Sequence, residues 1–300
     1  MGKKLVVGVD LGGTKIYTAA ADLKGHLLSE VKRPTGALRG PKAVIEEIVS
    51  TIEEAILKSG PGVKSVEAIG IGAPGPVNFS TGMVVDPPNL PGWRSVPLKK
   101  ILGRKLGTRI AVDNDANLAG LAEVRYGAAK GLSEVVYITA STGIGGGLIF
   151  NGKLYRGADG AAGEVGHMTI IPGGPECNCG NHGCLEAVAS GTAFLKLHGY
   201  TTEEAVERIK KGDRVALSHV EELACYLGIG LANITNIFNP QAIVVGGGMS
   251  NMGPLLFKPL RTAVKKYGFS IAGRRVKLLK SSLGKRVGVM GAIALALESD

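Results

Sequence analysis

Leu5-Val6-Val7-Gly8-Val9-Asp10-Leu11-Gly12-Gly13-Thr14-Lys15 is the stretch that decides how this chain is read. A short β-rich run ends on a carboxylate and passes into a glycine turn. Ile16 to Ala21 resumes the β-rich pattern, Asp22-Leu23-Lys24-Gly25 turns the chain again, and His26 to Val31 makes a third run. The unit is strand, turn, strand, turn, strand. It returns 130 residues later, with Val135 to Thr139 as a strand and Ser141-Thr142-Gly143-Ile144-Gly145-Gly146-Gly147 as a glycine turn. Leu148-Ile149-Phe150, the hairpin turn Asn151-Gly152-Lys153 and Leu154-Tyr155-Arg156 complete the copy. One supersecondary unit used twice predicts two lobes of similar topology, each offering a glycine-rich hairpin to a shared cleft.

Around these units the pattern is mixed. From Lys42 to Lys58, Val44, Ile45, Ile48, Ile52, Ala55 and Ile56 recur at helical spacing with glutamates between them. The Pro- and Gly-rich segment Gly72 to Gly92 reads as too broken for regular structure. Arg109 to Val112 predicts a strand that ends in Asp113-Asn114-Asp115, and Ala116 to Glu123 looks helical. Helices are expected at Ala187 to His198, Glu203 to Lys210 and Ala216 to Phe238, followed by the apolar strand Ala242 to Val245. That strand runs into Gly246-Gly247-Gly248, where a ligand can approach the backbone closely. Val289 to Leu297 closes the chain as a helix.

Bulk properties narrow the function. Three hundred residues, 45% apolar and 20% charged, can bury a core and suit two lobes better than one. The start, Met1 to Lys4 before Leu5 to Val9, is too short in apolar residues for a leader or a spanning helix, so a cytoplasmic protein without a membrane partner is expected. A net charge of +10 raises nucleic-acid binding, but the basic residues are spread out. Even the densest stretch, Arg274, Arg275, Lys277, Lys280, Lys285 and Arg286, alternates with other residues as a solvated face does. No nucleic-acid partner is expected. Four cysteines cannot form a disulfide scaffold, and Cys225, in an apolar-periodic stretch, reads as a buried inert thiol.

The remaining motifs carry chemistry. Glycines 12 and 13 bring backbone N–H groups within reach of phosphate oxygens, Thr14 adds a hydroxyl, Lys15 a cation, and Asp10 can hold a Mg²⁺-bound water. Thr142 and Gly143 open a second turn of the same character. Cys177, Cys179 and Cys184, spaced C-x-C-x4-C, need one histidine to complete a tetrahedral Cys3His zinc site. With no open coordination position, such an ion is structural. The histidine is His167 or His182, and position alone favours His182, which lies inside the cysteine loop. Asp113-Asn114-Asp115 is an Asx turn, a helix N-cap, or the carboxylate that a phosphoryl-transfer site requires.

Taken together, these residues resemble the ROK group (repressor, open reading frame, kinase) of the actin, hexokinase and Hsp70 fold. The resemblance rests on Asp10 to Lys15, Asn114-Asp115, Ser141 to Gly147, Gly163-Glu164-Val165-Gly166-His167, Cys177 to Glu186 and Gly246 to Gly248. It implies an α/β, two-lobed, ribonuclease H-like fold, with residues 1–115 and the helix 287–300 in one lobe and 116–286 in the other. It implies an ATP-dependent kinase that acts on the 6-hydroxyl of a hexose, most simply glucose, with Asp115 as general base. Asn89, Asn114, Glu164, His167 and Glu186 then hydrogen-bond the remaining sugar hydroxyls. Asp10, Gly12, Gly13, Thr14, Lys15, Thr142, Gly143, Gly247 and Gly248 face ATP and its Mg²⁺. The resemblance also turns the histidine choice to His167, one ring nitrogen on Zn²⁺ and the other toward the sugar, with Cys177, Cys179 and Cys184 as the other ligands. A homo-oligomer is the expected assembly. Other hexoses (N-acetylmannosamine, N-acetylglucosamine, fructose, allose) and other phosphoryl donors stay open, as does a sugar-sensing regulator. A repressor needs a DNA-binding segment ahead of the first strand, which begins by Leu5.

Overall fold

The computed structural model describes residues 4–60 and 66–298. Met1 to Lys3, and the last two residues of the segment 287–300, lie outside the described residues. The chain opens with β1 (Leu5–Leu11), β2 (Lys15–Asp22) and β3 (Leu27–Pro34), then α1 (Gly40–Lys58). Next come β4 (Val66–Ala73), β5 (Val77–Asn78), β6 (Met83–Val84), β7 (Val96–Pro97), α2 (Leu98–Leu106), β8 (Arg109–Asn114) and α3 (Asp115–Tyr126). The second repeat supplies β9 (Val135–Ala140), β10 (Ile144–Phe150) and β11 (Lys153–Tyr155). A long irregular stretch leads to α4 (Leu185–Ala189), α5 (Gly191–His198), α6 (Thr202–Lys210) and α7 (Arg214–Phe238). The chain ends with β12 (Ala242–Gly246), α8 (Pro254–Tyr267), α9 (Ser270–Arg275), β13 (Lys277–Lys280) and α10 (Val287–Leu297).

The two repeats build two five-stranded sheets with one shared plan. The first runs β3-β2-β1-β4-β8 and the second β11-β10-β9-β12-β13. In each, the first three strands are an antiparallel meander, and the fourth and fifth join parallel to the leading strand. The contacts divide the chain into two compact units, Met1–Tyr126 with Arg156–Ala162 and Leu283–Asp300, and Gly127–Tyr155 with Gly163–Ser282. Helix α3, which a division after residue 115 would assign to the second part, belongs to the first unit and packs on α10.

Alternation along β1 explains the layering of the first unit. Leu5, Val7, Val9 and Leu11 join the core formed with α1 and α2, while Val6 points to the opposite core, where α10 lies. Helix α10 is apolar or small on nearly every side because it is enclosed. It approaches the sheet so closely that a methyl on Gly70 would come 2.0 Å from the Ala292 carbonyl oxygen. In the second unit α7 is long and apolar enough, by length and composition, to cross a bilayer, but half of its apolar window is buried inside the protein. Its Gly228 admits α8 directly, since a methyl there would meet Ala263 Cβ at 2.4 Å.

Three expectations are corrected. The segment 72–92 is not wholly irregular, because β4 extends into it and β5 and β6 pair within the small antiparallel sheet β5-β6-β7. The helix expected over Ala187 to His198 is two helices, broken at Ser190, whose extended backbone lets its side chain accept the Ala193 N–H at 3.1 Å and cap α5. Cys225 is half-buried rather than enclosed.

Candidate active site

In the first unit, strand register gathers the candidate residues at one end of the sheet. Asp10 of β1 pairs with Gly72 of β4, and Gly72 with Asp113 of β8, so all three lie in one row at the carboxyl ends of parallel strands. That is the edge at which open α/β sheets take ligands. Asn114 ends β8, and Asp115, exposed, opens α3, where its Oδ1 accepts the Ala116 N–H at 2.8 Å. Asn114 Oδ1 accepts the same N–H at 2.9 Å. A carboxylate at a helix N-terminus is favoured by the helix dipole.

Asp10 lies against the first turn of α10, for a methyl on Gly288 would come 2.5 Å from its Cγ. Burial pushes its carboxyl above the ordinary range, and the Lys15 charge pulls the other way. The turn from Gly12 to Lys15 is closed by the Gly12 N–H donating to the Lys15 carbonyl at 3.0 Å, leaving Thr14 and Lys15 exposed. Gly13 sits on the backbone of Asn89, and a methyl there would fall 2.8 Å from the Asn89 carbonyl oxygen. Asn89 itself is exposed.

In the second unit the ligand atoms of His167, Cys177, Cys179 and Cys184 all lie within 4.8 Å of one another. His167 Nδ1 is 3.6 Å from Cys177 Sγ, and Cys179 Sγ is 3.7 Å from Cys184 Sγ. Zinc–sulfur bonds of about 2.3 Å and zinc–nitrogen bonds of about 2.0 Å give a tetrahedron with edges of about 3.8 Å between sulfurs and about 3.5 Å between sulfur and nitrogen. The donors fit zinc in kind and spacing. Burial pushes the Cys184 thiol up to about 12 and raises Cys177, whereas the Asn181 N–H lowers Cys179. Gathered thiols of this kind resist ionising together and suit a cation among them.

His182, which position alone favoured, is exposed and pairs with Glu176 as an isolated bridge. It is not in the cluster. The backbone explains the choice: Leu185 N–H donates to the Met168 carbonyl at 2.8 Å and Thr169 bridges Cys184, so the two residues after His167 are laced to the last cysteine and its neighbour. The ring of His167 turns Nδ1 to the thiols, and its Nε2 lies 3.8 Å from Glu164 Oε2.

Glu186, two residues beyond Cys184, meets the second glycine turn. Its Oε2 accepts the Ile144 N–H at 2.8 Å, and a methyl on Gly143 would be 2.5 Å from that oxygen. Beside this turn a cavity of about 180 Å³ is lined by Ser141, Thr142, Thr192, Thr202, Glu203 and Gly248, among others. Gly247 lies at φ 80 with the Ala140 carbonyl oxygen where a methyl would stand, 2.3 Å away, so only glycine fits. Thr142, Gly143, Gly247 and Gly248 are expected here from the sequence; Gly191, Thr192, Thr202 and Glu203 are not. The signal for them was Ser190-Gly191-Thr192, a capping residue and glycine inside an apparent helix. Gly191 N–H donates to the Ser141 carbonyl at 2.7 Å, and Thr192 N–H to that of Thr142 at 3.2 Å.

Two mixed sheets of one strand order, each led by a glycine turn, define an α/β protein of the actin and hexokinase fold class. The chain belongs to the ROK family, whose pattern it matches over residues 6–299. It is 37% identical to a glucokinase of Streptomyces coelicolor, over 99% of this chain and 98% of that one. A xylose repressor of Caldicellulosiruptor bescii is 33% identical, over 97% of this chain and 78% of the repressor. A ROK family glucokinase from Streptomyces griseus, solved in complex with glucose and AMPPNP, superposes with a TM-score of 0.80 at 36% identity, covering 97% and 99% of the two chains.

Proposed function

We propose that this chain is an ATP-dependent hexose kinase that phosphorylates glucose at its 6-hydroxyl. The observation that carries the reading is the register row of Asp10, Gly72 and Asp113, with Asp115 exposed immediately beyond it at the carboxyl ends of the strands. The similarity to glucokinases along nearly their whole length supports it.

In this reading Asp115 accepts the proton of the 6-hydroxyl as that oxygen attacks the γ-phosphorus in line. The O–H bond breaks, the O–P bond forms, and the bridging P–O bond breaks with its electron pair leaving on ADP. Asn89, Asn114, Glu164, His167 and Glu186 hold the other hydroxyls. The turn at Gly12 and Gly13, with Thr14 and Lys15, and the turn at Thr142 and Gly143 present N–H and hydroxyl donors to phosphate oxygens. Gly247 and Gly248 let the nucleotide approach the backbone, and Asp10 would help hold the Mg²⁺ that accompanies ATP, an ion that would supply positive charge to the phosphate oxygens. His167, Cys177, Cys179 and Cys184 would hold a structural zinc, which, when bound, supplies folding energy to the loop and fixes the His167 tautomer. His167 then directs its Nε2 N–H at a sugar oxygen.

Hexose-dependent ADP release, measured across glucose, mannose, fructose, allose and the N-acetylated hexosamines, tests the proposal. Glucose should give the highest kcat/KM, and a protein that releases no ADP with any sugar is not a hexose kinase. The identity to a xylose repressor supports a second reading, sugar sensing without phosphoryl transfer. That reading predicts sugar binding with no ADP release.

A further inference from the structure

Arg156 follows β11 directly, yet the seven residues Arg156–Ala162 belong by their contacts to the first unit, although the residues before and after them belong to the second. The segment is a closed loop. Ala162 N–H donates back to the Arg156 carbonyl at 3.2 Å, and Gly157 and Gly160 turn it at φ 72 and 97. The Arg156 side chain anchors it: its Nε donates to Asp113 Oδ2 at 2.7 Å and its guanidinium stacks 5.0 Å from the Phe79 ring centre.

Asp113 is not a surface partner. It is 2% exposed, and its other oxygen, Oδ1, accepts the Asn114 N–H at 2.7 Å and the Asn117 Nδ2 at 2.9 Å. One buried carboxylate therefore ties the end of β8 to the first turn of α3, on both sides of Asp115. Among the described residues, the carboxylate's other partner is Arg156. A buried carboxylate deprived of its paired cation draws in water or rearranges, and the residues it ties move with it.

We propose that Arg156 is a positioning residue for phosphoryl transfer, acting through Asp113 to hold Asp115 in the orientation that catalysis needs. The proposal rests on the kinase reading above. Arg156 touches no reacting atom; it fixes the carboxylate that fixes the backbone from which the base projects. Displacing a base without removing it lowers turnover more than it weakens sugar binding, because the ground state tolerates a misplacement that the transition state does not.

The test compares wild type with Arg156→Gln, Arg156→Lys and the double variant Asp113→Asn/Arg156→Gln, by steady-state kinetics with glucose and by calorimetric sugar binding. Arg156→Gln should lose about 100-fold in kcat with less than about a threefold change in sugar affinity. Arg156→Lys, which keeps the charge but not the guanidinium geometry, should lose less. The double variant, which replaces the ion pair by two neutral amides able to hydrogen-bond, should recover about tenfold of the loss in the single variant. A merely structural role predicts instead that kcat and sugar binding fall together, or that the thermal midpoint falls while the kcat of the folded fraction is unchanged; either result overturns the proposal. Should Arg156→Gln not fold, Arg156→Lys and the double variant carry the comparison, and wild-type kcat in both overturns it. A wild-type protein without hexose-dependent ADP release removes the kinase reading and this proposal with it. An active wild type with an equally active Arg156→Gln removes the proposal alone.

Discussion

The Glu186 carboxylate accepts the Ile144 backbone N–H at 2.8 Å, so the residue that follows the thiol cluster is joined to the glycine turn of the second sheet. Gly143 leaves the room for that bond. In Gly143→Ala the new methyl would sit 2.5 Å from Glu186 Oε2 and drive the carboxylate off the amide. On the proposed role of Glu186, the KM for glucose should rise about tenfold, the value of one hydrogen bond to a charged group. Steady-state kinetics of the folded variant measure it, and an unchanged KM takes Glu186 out of the sugar site.

Asp115→Asn keeps the shape of the side chain and removes its basicity. Turnover should fall by about 10² to 10⁴-fold while glucose affinity changes little. Retained turnover in the purified variant would exclude Asp115 as the base.

Metal analysis of the purified protein should find about one zinc per chain. Cys184→Ser, which replaces a buried thiol of the cluster, should bind much less zinc and lower the thermal midpoint, with the sheet signal in circular dichroism preserved. Full zinc content in that variant contradicts the ligand set.

Tyr17, Glu30 and Arg286 form a triad that gives stability a defined pH dependence. The Tyr17 hydroxyl and then Arg286 hold the Glu30 carboxyl below its ordinary range. A depressed carboxyl contributes stability above its unfolded pKa of about 4.3, and that contribution is lost as pH falls through the lower folded value. Tyr17, pushed up to about 12 by burial and then by Glu30, contributes stability fully present below its unfolded pKa and lost as pH rises through the higher folded value. Glu30→Gln should therefore lower the thermal midpoint near neutrality, and its difference from wild type should shrink on acidification. A difference that stays constant down to about pH 3 rejects the assignment.

Gly70→Ala tests the contact between sheet and helix. Its methyl would stand 2.0 Å from a backbone oxygen of α10, and a backbone oxygen has no rotamer to escape into. Chemical denaturation should show a loss of about 1–3 kcal/mol or more.

The two meanders were legible because their alternation is local: β1 and β9 each lead into glycines that mark their own turns. Strand β4 was not, since Gly70 and Gly72 weaken its β pattern, and the reason Gly70 is glycine lies 222 residues away at Ala292. The break at Ser190 was hidden because Ala187 to His198 keeps a helical apolar spacing across it. Proximity in sequence misjudged His182, since what brings His167 to the thiols is backbone pairing of Met168 and Thr169 with residues 184 and 185. Arg156 read as the last residue of a strand. Its buried partner lies 43 positions away on another sheet, which no local pattern encodes.

The packing of α10 on β1 and β4 also sets an order of assembly during synthesis. The residues of the second unit have all been translated once Ser282 has left the ribosome, whereas the sheet that begins at Leu5 still lacks the cover for Val6, Tyr17 and Ala68. That cover is Val289, Met290, Ile293 and Ala296, which come after Ser282 in the chain. The unit whose sheet begins at Leu5 is thus completed only after the residues of the second unit have been made, against the usual amino-to-carboxyl sequence of domain folding. Translation halted before Val287 would release a chain whose opening strands have one face bare, a substrate for chaperones rather than a folded fragment.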